Sequence, residues 1–169
     1  MASEQLLATI ARNADPKVPL PIVLTMAERE STFTPTKRGA AGEYGLLQLL
    51  PATVRGADIG YQGPLANLLE PGLNTQLATR YLTVLRSRYG TWPEAIRAYN
   101  GSGPAARAYA AGALQRLPAW DKYVLDNLEF FRKAIRSKGA GVVILVVAAA
   151  VAAVVILSSS SRRESEAAA

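Results

Sequence analysis

The sequence predicts a small, mostly α-helical domain followed by a single apolar helix near the C-terminus. Apolar residues recur at helical spacing through residues 1–138, and Gly, Pro and Asn separate the segments. No alternation of apolar and polar residues is long enough to indicate a substantial sheet. A chain of 169 residues has room for one domain, and residues 139–157 carry no charged side chain. We therefore expect a helical domain at 1–138, a transmembrane helix at 139–158 and a polar tail at 159–169.

Helix boundaries before residue 138 follow from capping and breaking residues. Ser3 can cap a first helix, and the prolines between it and residue 21 separate that helix from a second one beginning near Pro19 or Pro21. A Gly-rich stretch, from Gly39 to Gly45, interrupts the chain after this second helix. Periodic apolar residues then predict further helices at about 73–88, 93–99, 105–111 and 120–136.

The apolar segment 139–157 has the length and the flanks of a transmembrane helix. As a helix its 19 residues would extend about 28 Å, close to the hydrocarbon thickness of a bilayer. Four basic residues shortly before the segment and two after it favour a cytoplasmic position for the large domain in a host membrane. A buried core helix is the alternative, but such a helix rarely lacks every polar residue over this length. We expect residues 139–158 to bind the lipid membrane, and no secretory signal peptide is visible.

The residue types present limit the chemistry of an active site. The chain contains no histidine and no cysteine, which removes imidazole bases, histidine-dependent triads, disulfides and nearly all zinc sites. An enzyme of this composition would use Asp, Glu, Lys or Tyr, and we expect neither a cofactor nor a metal. The net charge of +6 belongs to residues 1–138 and favours polyanionic partners. The basic residues are scattered rather than clustered with aromatics, so no nucleic-acid partner is predicted.

Two carboxylates of the second predicted helix, Glu28 and Glu30, differ in their expected surroundings. Ile22, Met26 and Glu30 are four residues apart, so Glu30 falls on the apolar stripe that faces the core. Glu28 lies about 200° around the helix axis from Glu30, and we interpret it as a solvated surface charge able to pair with an arginine. Loss of hydration would raise the pKa of Glu30, as a general acid requires. Position alone also allows Glu30 to be the frayed, solvated end of a helix.

Four short blocks follow one another in the order and approximate spacing of a known family. They read Glu30-Ser31, Gly45-Leu46-Leu47-Gln48-Leu49-Leu50-Pro51, Asn74 with Tyr81-Leu82, and Ala98-Tyr99-Asn100. Over about residues 15–115 the sequence resembles the soluble lytic transglycosylases (SLT), lysozyme-like enzymes that cleave peptidoglycan. The resemblance implies a lysozyme-like (SLT) fold for the helical domain and peptidoglycan glycan strands as its partner.

The resemblance also implies roles for particular residues. Glu30 would protonate the oxygen between N-acetylmuramic acid and N-acetylglucosamine, then act as base on the C6 hydroxyl to give a 1,6-anhydro sugar. Tyr99 would orient Glu30 by a hydrogen bond, while Gln48 and Asn100 would bind sugar or acetamide groups. Ser31 would hydrogen-bond either at the helix end or to the substrate. One carboxylate can suffice for this reaction, whereas hydrolysis usually needs a second.

Two departures from the family pattern concern the shape of the site. Leu47 stands where the family has methionine, which keeps the wall apolar, and Gly-Ser-Gly follows Asn100 where the family has Ala-Gly-Pro-Gly. Glu43, between the glycines, is the candidate for a second carboxylate. If Glu43 faced Glu30 across the cleft, lysozyme-type hydrolysis would be the alternative reaction.

The expected location combines the substrate with the membrane segment. Peptidoglycan lies outside the cytoplasmic membrane, whereas the basic flanks favour an inward domain. A phage virion resolves this conflict, because it brings the enzyme to the wall from outside during genome entry. We therefore expect a virion-membrane or virion-associated protein, with other virion proteins as partners. A bacterial envelope transglycosylase and a catalytically silent wall-binding protein are the alternatives.

Overall fold

The fold is built around α2, the helix that carries Glu28 and Glu30. The computed structural model describes residues 2–137 of the chain. Within them the α-helices, in chain order, are α1 (Glu4–Asn13), α2 (Leu20–Ser31), α3 (Pro51–Arg55), α4 (Pro71–Tyr89), α5 (Trp92–Asn100), α6 (Gly103–Asp126) and α7 (Leu128–Arg136). Residues 20–27 of α2 are all buried, so this segment forms the middle of the core rather than one wall of it.

The other long helices enclose α2 in two connected groups. Helix α6 runs along α2, and α5 contacts both α6 and α4. Helix α1 packs against α4 on one side and α7 on the other. In the first part of α6, Ala106, Ala110 and Ala113 are buried at spacings of four and three residues, so this face is formed by small side chains and α6 can approach α2 closely. The end of α2 is therefore held between α6 and the loop that follows α2.

Most of the predicted helices are present, and the mostly α prediction is confirmed. The Ser3 side chain accepts a hydrogen bond from the N–H of Leu6, as expected of an N-cap. The helices predicted at 73–88 and 93–99 are found as α4 and α5 with slightly longer spans. Among the described residues, extended pairing is limited to isolated bridges of Tyr44 with Arg38 and Leu49.

The break predicted between 111 and 120 is wrong, because α6 continues through Gly112 and Pro118. Proline inside a helix removes one hydrogen bond and typically costs about 3 kcal/mol or more. Here Ala113, Leu117 and Trp120 on the same face are all buried, and their burial outweighs this penalty. The chain breaks instead at Asn127, and α7 begins at Leu128.

The loop between α2 and α3 is held by one buried side chain, Asn74 of α4. Its Oδ1 accepts from Leu47 N at 2.8 Å, and its Nδ2 donates to Tyr44 O and to Leu68 O, each at 2.8 Å. Gly45 lies against this amide with a φ of 78°, and a Cβ there would be 2.3 Å from Leu68 O. Only glycine fits this position without a shift of the backbone.

The predicted transmembrane helix at 139–158 and polar tail at 159–169 lie outside the described residues. Across residues 2–137, none of the helices combines the length and the apolar character needed to cross a bilayer. The boundary at residue 138 stays a prediction.

Candidate active site

Glu30 lies in the last turn of α2 with its carboxylate hydrogen-bonded to α6. The hydroxyl of Tyr109 donates to Glu30 Oε1 at 2.6 Å. Burial raises the pKa of Glu30 above its ordinary value, while the Tyr109 hydrogen bond and the positive charges of Lys37 and Arg29 offset only part of the rise. The partial burial of Glu30 agrees with its place on the apolar stripe of α2. This carboxyl group therefore keeps its proton to a higher pH than an exposed glutamate does.

Tyr109, and not Tyr99, makes the hydrogen bond that the sequence predicts for Glu30. The hydroxyl of Tyr99 donates to Leu47 O at 2.8 Å, which ties α5 to the loop after α2. Burial raises the pKa of Tyr99 well above its usual value, and the charge of nearby Glu30 adds to the rise. Tyr99 thus supports the wall beside Glu30, whereas Tyr109 touches the carboxylate because α6 packs lengthwise on α2.

Gln48 braces the loop in which it lies. Its amide nitrogen donates to Gly45 O at 2.7 Å and to Lys37 O at 3.3 Å. Its backbone has a φ of 46°, in the left-handed region that non-glycine residues rarely adopt. A substrate contact of Gln48 would therefore use its amide oxygen.

Ser31 and Asn100 lie at the ends of α2 and α5. The buried hydroxyl of Ser31 donates to Ala27 O and accepts from Thr34 N, both at 3.1 Å, so it secures the helix end. Of the two predicted roles of Ser31, this geometry favours the structural one. Asn100 is exposed as the last residue of α5, next to Tyr99. Its exposure leaves it accessible to a ligand.

The backbone directly after Glu30 and Ser31 is strained. Thr32 and Phe33 both have left-handed φ values, 52° and 58°. A β-branched or aromatic residue in this region is unfavourable by roughly 1–2 kcal/mol. Such strain persists only where the surroundings enforce it, and here Phe33 packs edge-on against Trp120 at a centroid distance of 5.4 Å.

The helices and the loop that surround Glu30 lie within one continuous match to a family model. The family model of the transglycosylase SLT domain matches residues 8–116. The chain belongs to this family. As a family, SLT domains are lytic transglycosylases that act on peptidoglycan, and the match extends from α1 to the part of α6 that carries Tyr109 and Arg116. Comparison with curated proteins and with solved structures gave no match.

Glu43 of the SLT domain is the nearest candidate for a second acidic group. Its Oε2 accepts from Ala41 N at 3.0 Å, within the loop after α2. Its negative charge raises the pKa of Glu30, by less than burial does. Within residues 2–137, no group of three or more His, Cys, Asp or Glu residues could hold a metal ion.

Glu28 of the SLT domain is paired with an arginine, as predicted, in an ion pair that is partly exposed rather than freely solvated. Arg116 of α6 donates to both carboxylate oxygens at 2.8 Å, and Trp120 Nε1 donates at 2.9 Å. The hydrogen bonds from Arg116, ahead of other causes, lower the pKa of Glu28. Pairing with an arginine was expected, but the partner is 88 residues distant and is brought there by the packing of α6.

Tyr109 was not predicted as a site residue. The buried alanines of α6 follow the spacing of a close helix contact, and Tyr109 adjoins Ala110 on this face. This pattern is the signal that could have placed Tyr109 against α2. The sequence does not show, however, that α2 is the helix against which this face of α6 packs.

Proposed function

We propose that this SLT domain is a peptidoglycan lytic transglycosylase in which Glu30 is both the acid and the base. The observation that carries the proposal is the half-buried Glu30 carboxyl, whose pKa is raised by burial and which Tyr109 holds at 2.6 Å. A general acid needs to be protonated near the working pH and fixed in position. Both conditions are supported by the packing of α6 on α2.

The proposed reaction cleaves the β-1,4 bond between N-acetylmuramic acid and N-acetylglucosamine. Glu30 gives its proton to the bridging oxygen, the C1–O bond breaks, and positive charge develops at C1. The Glu30 carboxylate then takes the proton of the C6 hydroxyl while the C6 oxygen bonds to C1. The products are a 1,6-anhydro sugar and a free 4-hydroxyl, and Glu30 has regained its proton without consumption of water.

Tyr109 and the remaining predicted site residues have supporting roles in this proposal. Tyr109 orients Glu30, and the amide oxygen of Gln48 together with exposed Asn100 binds sugar or acetamide groups. Tyr99 and Ser31 hold the wall and the helix end through their hydrogen bonds to the backbone.

The test is digestion of purified peptidoglycan by the wild type and by Glu30→Gln, with products identified by mass spectrometry. The wild type should release 1,6-anhydromuropeptides, and Glu30→Gln should lower their yield by at least about 100-fold because the acid is lost. Glu129→Gln, the same change at an exposed residue of α7, is the control and should release normal products. Equal product from Glu30→Gln would remove Glu30 from the mechanism. No product from the wild type would leave a catalytically silent wall-binding protein.

Lysozyme-type hydrolysis is the second candidate, and the electrostatic effect of Glu43 on Glu30 favours it. A hydrolase would use Glu43 to activate water or to stabilise charge at C1. Its products would carry reducing N-acetylmuramic acid ends rather than anhydro ends. Loss of these reducing ends in Glu43→Gln would establish this alternative.

We further propose that the enzyme works from a phage virion, with residues 139–158 as its membrane anchor. The support is the charge-free segment 139–157 with its basic flanks, together with a substrate that lies outside the cytoplasmic membrane. This location is tested by treating purified virions with and without detergent and detecting the protein in them with an antibody. Detection in the envelope of uninfected bacteria and not in virions would instead establish a bacterial envelope enzyme.

A further inference from the structure

Two adjoining pockets lie beside α2, and Glu30 is not among the residues that line them. The larger, of about 690 Å³, is lined by residues of α1, α2, the following loop, the start of α4 and α6. The smaller, of about 410 Å³, lies between α2 and α6. Glu28 and Arg116 line both pockets, so the two form one groove around this ion pair.

The groove is connected to the candidate active site through a short series of contacts. Arg29 lines the smaller pocket, and its guanidinium lies 4.8 Å from the centre of the Tyr109 ring. The hydroxyl of Tyr109 in turn donates to Glu30. A ligand group held at Arg29 is therefore one side chain away from the residue that orients the acid.

The charged groups of the groove favour an anionic ligand. Arg116 uses Nε and Nη2 on Glu28, which leaves Nη1 donors on a side chain that is 55% exposed. Arg29 is exposed and forms no ion pair with any residue among 2–137. The charge of Glu28 is balanced by Arg116, so Arg29 leaves the groove net positive.

The uncharged lining favours a peptide over a sugar. Leu6, Phe33 and Pro71 supply apolar walls, and Gln5 adds an exposed amide. Sugar binding usually uses the open face of an aromatic ring, but Trp120 is only 7% exposed. Small apolar side chains and carboxylates occur together in the short peptides attached to peptidoglycan glycan strands.

We propose that this groove binds the anionic stem peptides of peptidoglycan while the glycan strand occupies the site at Glu30. The inference rests on the proposed function, because it takes the glycan at Glu30 as the source of the peptide. Binding of the peptide adds a second attachment to the same polymer, which increases the effective affinity for the strand. The arginines give the enzyme a preference for strands whose peptides have not been removed.

The test compares two soluble ligands on the full-length Glu30→Gln variant in mild detergent, by calorimetry. One ligand is a tetrasaccharide that carries tetrapeptides with free carboxylates, and the other is the same tetrasaccharide after amidase treatment. We expect the peptide-bearing ligand to bind about tenfold more tightly. Addition of Gln115→Glu or Gln5→Glu, each placing a negative charge in one pocket, should lower this preference roughly fivefold. Gln76→Glu, the same change at an exposed position of α4 outside both pockets, should keep it.

Equal affinity for the two ligands would overturn the proposal, as would equal effects of Gln115→Glu and Gln76→Glu. Cleavage of peptide-free glycan by the wild type is measured in parallel and tests the proposed function separately. Cleavage without peptide preference would leave the transglycosylase assignment intact and remove the peptide groove. Peptide-dependent binding without cleavage would support the peptide groove and remove the transglycosylase assignment. A further variant lacks residues 139–169. An increase in its affinity for the peptide-bearing ligand would mean that the predicted membrane segment competes for the groove, and it would overturn the assignment of the groove to peptide in the full chain.

Discussion

Glu28 and Glu30 have opposite protonation behaviour although one residue separates them. Arg116 donates two hydrogen bonds to Glu28 and lowers its pKa, whereas burial raises the pKa of Glu30. Both partners, Arg116 and Tyr109, come from α6 about two helical turns apart. One helix contact therefore keeps one carboxylate ionised and favours the protonated form of the other.

Glu30→Gln should stabilise the protein at neutral pH while it abolishes activity. The raised pKa means that folded protein binds the Glu30 proton more tightly than unfolded chain, whose value is near 4.5. The contribution of Glu30 to stability is therefore fully present below about pH 4.5 and is lost as pH rises through the folded pKa. Glutamine does not ionise, so the Tm of the variant relative to wild type should increase from pH 4 to pH 7.5. If the difference in Tm between variant and wild type stayed constant or decreased over this pH range, burial would not destabilise the ionised form of Glu30.

Tyr109→Phe should move the alkaline limb of the pH–rate profile to higher pH. The Tyr109 hydroxyl stabilises the Glu30 carboxylate, so its removal raises the pKa of Glu30 further. We also expect kcat to fall roughly tenfold, because the acid loses its orientation. Tyr99→Phe is the comparison, since its hydroxyl bonds to Leu47 O and its loss should leave the limb in place. If the alkaline limb moved in Tyr99→Phe and not in Tyr109→Phe, Tyr99 rather than Tyr109 would be the residue that orients Glu30.

Helical phase predicts the environment of Glu30 better than that of its partners. The spacing of Ile22, Met26 and Glu30 is local, so the burial of Glu30 could be anticipated. Tyr109 and Arg116 reach α2 only through long-range packing of α6, which no local pattern specifies. The same limit explains why the arginine that pairs with Glu28 could not be named from the sequence.

At the level of elements, the loop from α2 to α3 depends on α4. Asn74 satisfies one backbone N–H and two backbone carbonyls, so it replaces the pairing that a regular hairpin would provide. The block containing Asn74 was noticed in the sequence, but its hydrogen bonds were not predictable. Helix ends at Ser3 and near Tyr89 were predictable because their capping and glycine signals are local. The continuation of α6 through Pro118 was not predictable, because it depends on the burial of Leu117 and Trp120 against the core.

Gly45→Ala should be much more damaging than Gly42→Ala. Both glycines have positive φ values, 78° and 89°, so both variants incur backbone strain of about 1 kcal/mol. A Cβ at Gly45 would also overlap Leu68 O and the Asn74 amide, whereas nothing lies within 4 Å at Gly42. Urea unfolding should show a loss above about 2 kcal/mol for Gly45→Ala and about half of that for Gly42→Ala. Equal losses would mean that the loop relaxes away from Asn74.

Thr32→Asn should stabilise the junction after α2. Asparagine tolerates the left-handed backbone better than a β-branched residue, and Thr32 is exposed. We expect a gain of roughly 0.5–1 kcal/mol in the free energy of unfolding. Thr34→Asn, at an exposed position outside the left-handed region, is the matched control and should give no gain. A loss in Thr32→Asn would indicate that the threonine side chain is needed at this junction.

On the scale of the whole molecule, α2 and α6 should behave as one unit. Separation of the pair would expose the buried face of α2 and break the contacts at Glu28 and Glu30 together. We expect the core amides of these two helices to share one opening free energy in native-state hydrogen exchange. Arg116→Gln should lower that value in both helices. An effect confined to α6 would contradict the shared unit.

The contact between α1 and α7 has a consequence for the order in which the protein forms on the ribosome. Arg12 of α1 donates to Ala134 O of α7, a partner 122 residues later in the chain. Residues 4–126 emerge first, so α2 and α6 can pair, and α1 can pack on α4, while α1 still lacks α7. The last described helix then closes the molecule over α1, and a nascent chain stalled before residue 128 would carry the Glu30 helix in an incompletely covered domain.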